Sequence, residues 1–367
     1  MDKIKIEYCC FLNQSGYSQA AQDLILALHN SGKYDIKIQA FAGKPARPAV
    51  SDERYAIFSK MMKKEHSPDS IQILHCIPTL QKNVKNKNKK QIAFATFETY
   101  EPPSNWIKIL NSNDAIITPS FFNYNIFAHS YIKKPIFHIP HCIDFNKFNT
   151  EVLPMKKYNK FSFLFLGTWK ERKGYPQLIE SWLSEFSDSD NVQLVIKTDK
   201  TKQAGAYIEK IKKEMGISKG FAPILIENKV FSESEMPRFL KSFDCLILPT
   251  MGEGFNLPGL QCMALGVPVI ITNFSGCQDY ANEMTATMLN PSGFILKKNM
   301  DGIPQFRNRK WAFVSVAQIR ETMREIINNP VKIKEKSKNA QENVRNNFSY
   351  KKIEELFSEM IGTLYGI

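Results

Sequence analysis

The chain has 367 residues, 43% of them hydrophobic, and a formal net charge of +13. That length suits two domains with ample core, and no apolar run approaches the roughly 18 residues of a spanning helix. The basic balance is compatible with an anionic substrate, an anionic membrane surface or a nucleic acid, and selects none of them.

The opening, MDKIKIEYCCFL, lacks a signal-peptide layout, because its apolar stretch reads as a strand and stops at Asn13 and Gln14. A cytoplasmic protein, with at most peripheral contact with a membrane, is the expectation. Residues 4–12 form the first predicted strand. Tyr17, Ala20, Ala21, Leu24, Ile25 and Leu28 then recur at helical spacing. Gly16 lies in the turn between them, where backbone N–H groups can approach a phosphate or a sugar. Further strands are predicted at 36–41, 71–76 and 92–97. His75 ends one of them and Glu98 follows another, at the C-terminal edge where open α/β sheets bind ligands.

Between these strands lies the densest basic run, Lys82, Lys85, Lys87, Lys89 and Lys90. It reads as a solvated loop, with a basic edge beside a substrate site as the alternative. A helix at 104–111, a strand at 115–118, a helix opened by Ser120 and a strand at 136–139 complete the first half. His138 and His141 have the spacing of a metal pair. They sit at a strand end without a carboxylate motif, so no metal is expected. The seven cysteines include no C-x-x-C pair and fall in apolar patterns, which predicts buried free thiols.

Residues 145–160 are polar, lysine-rich and contain Pro154, the composition of a linker. We therefore expect domains at 1–150 and 151–345, followed by a last helix at 346–367. A strand at 161–166 closes on Gly167. The basic loop Thr168-Trp169-Lys170-Glu171-Arg172-Lys173-Gly174 leads into a helix with Leu178, Ile179 and Trp182 on its apolar side. Strands follow at 192–197 and 224–226, helices at 207–215 and 235–243, and Val230-Phe231 marks a loop.

The stretch at 244–271 reads strand, loop, helix, strand. Glu253 sits between Gly252 and Gly254, Asn256 can cap the helix, and Pro258 fits its first turn. Leu257, Leu260, Met263 and Ala264 give the apolar face, and Gly266 ends it. A helix N-terminus attracts anions. A carboxylate held there needs a reason, and a bound phosphate beside a reacting carbon supplies one. After a turn at Ser275-Gly276, a helix carries Val316, Ile319, Met323, Ile326 and Ile327, Pro330 breaks it, and a lysine-rich helix follows. The last helix presents Ile353, Leu356, Phe357, Met360, Ile361 and Leu364 on one face.

Glu253-Gly254-Phe255-Asn256-Leu257-Pro258, with Gln261-Cys262-Met263-Ala264, Gly266, Pro268, Val269 and Ile270, resembles the E-G-F-G-L-P-x-x-E-A-M-A-x-G-x-P-V-I signature of the retaining GT-B glycosyltransferases. Asn256 stands where glycine is usual, and Gln261 replaces the second glutamate of the E-x7-E pair. The spacing from Gly167 to Lys173-Gly174 is similar to the donor-phosphate loop G-R-x-x-x-x-K-G, with Thr168 at the arginine and Arg172 as its substitute. TPSFFNYNIF and IPHCID resemble the V-P-S and I-P-x-G-V-D runs, with Cys142 at a glycine. Ser275-Gly276 is similar to the G-G-x-x-E turn, with Asp279 near the acid.

The resemblance implies an α/β chain of the GT-B fold, with two Rossmann-like β/α/β domains facing a central cleft and a last helix crossing back to the first. It implies a nucleotide-sugar co-substrate, UDP- or GDP-linked, no other cofactor and no metal. Glu253 is the implied catalytic residue. Arg172, Lys173 and Gly16 would meet the donor phosphates, and Gly254, Phe255, Asn256, Leu257, Gln261 and Val230 the sugar and nucleotide. Glu98 and His75 are candidates on the acceptor side. The acceptor would be a glycan or a lipid-linked glycan, with a modified base in DNA as the alternative. A non-catalytic nucleotide-sugar-binding protein and an epimerase are the competing readings of the same fold.

Overall fold

The computed structural model describes residues 2–13, 15–41, 50–65, 67–84, 86 and 89–366. Gln14, Lys85 and Lys87 lie outside the described residues. The chain divides into two units. The first comprises Met1–Phe145, Ser232–Ser234 and Arg345–Ile367, and the second Asn146–Phe231 and Glu235–Val344.

Short apolar runs become parallel strands in both. In the first unit these are β1 (Ile4–Cys10), β2 (Tyr34–Ala40), β3 (Ile71–His75), β4 (Gln91–Phe94), β5 (Ala115–Thr118) and β6 (Ile136–His138), in the order β2-β1-β3-β4-β5-β6. Every neighbouring pair is parallel. Buried residues along β3, β4 and β5 are continuous, as expected of strands covered on both faces. The intervening helices are α1 (Gly16–Asn30), α2 (Asp52–Lys63), α3 (Pro78–Gln81), α4 (Ser104–Leu110) and α5 (Phe121–Ala128). Ser15, Ser51 and Ser120 start α1, α2 and α5 by accepting a backbone N–H three residues on. α2 is not among the predicted elements. Its buried residues are only Arg54, Phe58 and Met61, too few for a clear apolar period.

The second unit holds β7 (Phe161–Leu166), α6 (Tyr175–Glu185), β8 (Val192–Lys197), α7 (Thr201–Glu214), β9 (Ile224–Glu227), α8 (Glu235–Leu240), β10 (Cys245–Leu248), α9 (Leu257–Leu265), β11 (Val269–Thr272) and β12 (Thr287–Leu289). Its sheet order is β12-β11-β10-β7-β8-β9, again parallel throughout. An antiparallel hairpin follows, β13 (Gly293–Lys297) and β14 (Arg309–Phe313), which the sequence did not suggest. Helices α10 (Val316–Asn328) and α11 (Pro330–Asn347) come next. Pro330 both ends the helical run before it and opens α11, where its missing N–H is tolerated. Phe163, Trp182, Leu194, Ile247, Ile319 and Met323 belong to this unit's core.

The last helix, α12 (Tyr350–Tyr365), belongs to the first unit. Ile353, Phe357, Met360 and Ile361 join Leu24, Ile25, Leu28 and Ile36 in its core. Two buried ionic clusters also lie there. Arg54 pairs with Asp23, Asp144 and Glu233 at 3.0, 3.1 and 2.7 Å. Lys89 pairs with Glu7 at 2.5 Å and donates to Ser70 Oγ at 2.8 Å. The solvated-loop reading therefore fails at Lys89, which is drawn inward by a strand carboxylate, while Lys82 and Lys90 are exposed. All seven cysteines are buried and unbridged, as their apolar settings imply. Among the described residues no helix is long and apolar enough to cross a membrane.

Candidate active site

Two loops at the C-terminal edge of the second sheet make the site. The first leaves β7 at Gly167, tightens into a single 3-10 turn at Glu171–Lys173, and enters α6 through Gly174. Glycine is required at 174. Its φ is +79°, and a Cβ there would lie 1.8 Å from the carbonyl oxygen of Pro249. That close approach brings the first loop against the second, which leaves β10. Met251 N–H donates to Arg172 O at 2.7 Å and fixes the register between them.

The second loop carries Glu253 and is held by a third, at residues 273–276. Glu253 N–H donates to Ser275 Oγ at 2.8 Å, and Gly276 N–H donates to Glu253 O at 3.0 Å. Gly276 has no room for a side chain, since a Cβ would meet Gly254 O at 2.1 Å. Asn256 then starts α9 with φ of +74°, and its Oδ1 accepts from Gly259 N–H at 3.4 Å. This explains asparagine at a position where glycine is usual. It tolerates the left-handed conformation and adds a cap. Tyr280 O–H donates to Asn256 O at 2.8 Å and fills the space that Gly259 leaves.

The Glu253 residue is only 4% exposed. Its Oε1 is 2.6 Å from Lys173 Nζ, and its Oε2 is 3.2 Å from Arg172 Nη1. Burial pushes the carboxyl pKa up, but Lys173 and Arg172 more than offset this and hold it below the usual range. Glu253 is thus ionised at neutral pH between two cations. Thr168, at the place of the usual arginine, is exposed, and Arg172 supplies the second positive charge instead. Such a group can neutralise a diphosphate and orient hydroxyls beside it.

The structure therefore brings Glu253, Arg172 and Lys173 together. Gly254, Phe255, Asn256, Leu257 and Gln261 lie in the buried turn and first turns of α9. Val230 is 61% exposed after β9, three strands from β10 in the sheet order, and its neighbour Phe231 stacks on Phe239 at 4.2 Å. Gly16 opens α1 in the first unit, with nothing within 4 Å of a Cβ built there, so local packing does not demand glycine. Glu98 is half-buried beyond β4.

His75 departs from its expected role. It is wholly buried, with Nδ1 2.7 Å from Tyr8 O–H and its ring stacked 3.9 Å from that of Phe94. Burial, and then His141, hold it neutral. It presents no surface to an acceptor. His138 packs on Phe121 and His141 on Phe94. Among the described residues no group of three His, Cys, Asp or Glu side chains could hold a metal ion.

Sequence reasoning missed the hairpin's part in the site. Asp301 accepts from Glu171 N–H at 2.7 Å, and Lys297 pairs with Glu171 at 2.5 Å. The Asp301-Gly302 dipeptide is a turn signal that could have placed a hairpin here.

Residues 160–297 match the family described as "Glycosyl transferases group 1". A curated relative, an uncharacterized 41.2 kDa protein in the cps region of Klebsiella pneumoniae, is 24% identical over 188 residues. That match spans 49% of each chain, so the chain covers about half the length of this relative. Solved structures align over the whole chain. A glycosyltransferase from Rickettsia africae has a TM-score of 0.70 at 14% identity, covering 99% of each chain. Anabaena HepE in complex with UDP and glucose has 0.69 at 11%, covering 98% of this chain and 100% of that one. Sucrose-phosphate synthase from Thermosynechococcus elongatus has 0.69 at 13%, covering 99% and 100%. At these identities the structures establish the fold, and the family match is a likeness confined to residues 160–297. The chain has the GT-B fold, and its residues 160–297 are similar to the group 1 glycosyltransferases.

Proposed function

We propose that the protein is a retaining glycosyltransferase that moves a sugar from a nucleotide-diphosphate-sugar, UDP-linked in the first instance, to an acceptor hydroxyl on a glycan or lipid-linked glycan. The observation that carries this is the ion triplet of Glu253, Lys173 and Arg172 beside the opening of α9. Cleaving the anomeric C–O bond builds negative charge on the departing diphosphate and positive charge on the sugar ring. Lys173, Arg172 and the N-terminal end of α9 stabilise the first. The ionised Glu253 favours the second and orients the sugar hydroxyls.

The acceptor hydroxyl attacks from the face the leaving group vacates, and its proton passes to the departing phosphate oxygen. Configuration at the anomeric carbon is kept. Two side-chain cations already supply the charge that a divalent metal would otherwise bring, so the reaction is expected to run without one. Gln261, buried in α9, can accept from the nucleotide's hydroxyls only as a neutral amide.

The test compares wild type with Glu253→Ala on a panel of nucleotide-sugars, following released nucleoside diphosphate and the anomer formed. Turnover by the wild type that drops at least about 100-fold in the variant is expected. A wild type that binds donors but neither transfers nor hydrolyses them would support a non-catalytic binding protein, for which Gln261 and Thr168 are the residues in favour.

A further inference from the structure

Residues 298–313 lie outside the matched family segment, and the reaction above gives the hairpin no task. Its turn nevertheless reaches the site. Asp301 sits there with φ of +56° beside Gly302 at +71°, and its side chain is 1% exposed. Its Oδ1 accepts Glu171 N–H at 2.7 Å, while its main-chain oxygen accepts from Lys170 Nζ at 3.2 Å. Its Oδ2 lies 3.7 Å from Arg172 Nε and accepts no hydrogen bond among the described residues. The Phe306 ring of the same hairpin is centred 5.9 Å from the Arg172 guanidinium carbon.

A buried carboxylate with one oxygen short of a hydrogen bond is expensive. Burial accordingly raises its pKa, with Arg172 pulling the other way. An asparagine would close the same turn and accept the same N–H without that cost. What the acid alone adds is a negative charge on the Nε edge of Arg172. The Nη1 end of the same guanidinium meets Glu253 Oε2 and Gly252 O. One planar group thus has a carboxylate from each of two loops at two of its edges, hydrogen-bonded at Nη1 and at ion-pair distance at Nε.

We propose that Asp301 is a positioning residue: it holds Arg172 at the angle from which the guanidinium meets the donor diphosphate, so turnover depends on the charge at position 301. The inference rests on the donor-site reading. A misplacement of about 1 Å at a reacting group can cost about 100-fold in rate, and a freed guanidinium can move by that much.

The test is a double-mutant cycle of Asp301→Asn and Arg172→Gln, read by calorimetric titration with UDP and by kcat and KM for a UDP-sugar. Asp301→Asn keeps the Glu171 contact. It should lower kcat at least about 10-fold, with donor KM changed less than about threefold, because the loss falls on the charge that develops during bond cleavage. In the Arg172→Gln background the same change should do nothing further to kcat or to UDP affinity. Losses that multiply across the two variants, or a wild-type kcat in Asp301→Asn, would overturn the proposal. So would a fall in melting temperature of Asp301→Asn equal to that of Asp301→Ala, which would make the residue merely structural. A wild type that binds no UDP at millimolar concentration would remove the donor site itself and the inference with it.

Discussion

Adding one methyl group at position 276 should silence the proposed sugar transfer. A Cβ on Gly276 would lie 2.1 Å from Gly254 O and 2.8 Å from Phe255 N. Against an ordinary contact of about 3.5 Å, the first is short by roughly 1.4 Å. Both neighbours are main-chain atoms, so no rotamer change relieves the overlap and the 253–256 loop itself must move. That loop is tied to residues 275 and 276 through both Glu253 N–H and Glu253 O, so the displacement reaches the carboxylate between Lys173 and Arg172. A shift of this size should cost about 100-fold or more in kcat. Overpacking should also cost about 1–3 kcal/mol of stability, and each kcal/mol lowers the melting point of a unit this size by about 2–4 °C. Released nucleoside diphosphate and a thermal scan measure the two effects. Ser275→Ala serves as a milder control, since it removes one acceptor and adds no bulk. If Gly276→Ala turned over donor within threefold of wild type, this loop would not be what positions Glu253.

Two further outcomes concern the first unit. His75 and His141 are both held neutral by burial, His141 down to about 3, whereas free histidine titrates near 6.5. The unfolded chain therefore binds more protons below about pH 6.5. Stability is fully present above that value and falls as pH drops toward the folded values, by about 1.4 kcal/mol per pH unit for each ring. Melting temperatures between pH 7.5 and 5.0 should show this, and His141→Phe should flatten the slope; an unchanged slope would contradict it. The Lys89–Glu7 pair has side chains only 4% exposed on each side. Lys89→Met strands the carboxylate and should cost about 3–5 kcal/mol in urea unfolding, while Lys89→Met with Glu7→Met recovers most of it. A single variant within about 1 kcal/mol of wild type would count against a buried pair.

Legibility in the sequence tracked how local the governing physics is. β10, the Glu253 loop and α9 could be read directly, because an apolar run, two glycines, a capping asparagine and a first-turn proline act within one or two turns of each other. Arg172 and Lys173 were picked out by the resemblance of their loop to the G-R-x-x-x-x-K-G pattern. Asp301 was not, since its partner Glu171 is 130 residues away and its role depends on a hairpin with weak alternation. His75 misled for the converse reason. A polar ring ending an apolar strand suggests a ligand, yet Tyr8, Tyr17 and Phe94 from neighbouring elements enclose it completely. Lys89 misled similarly, because a lysine within a charged run gives no sign of a glutamate waiting on a strand 82 residues earlier.

The placement of α12 has a consequence for how the chain comes off the ribosome. The second unit lies entirely between Asn146 and Val344, so all of it has been made before α12 appears. The first unit's core needs Ile353, Phe357, Met360 and Ile361. Its sheet therefore emerges early and stands with one flank bare until residues 350–365 have been made. In this order the half carrying the triplet matures first, and the earlier-synthesised half is the one exposed to chaperones and proteases in the meantime.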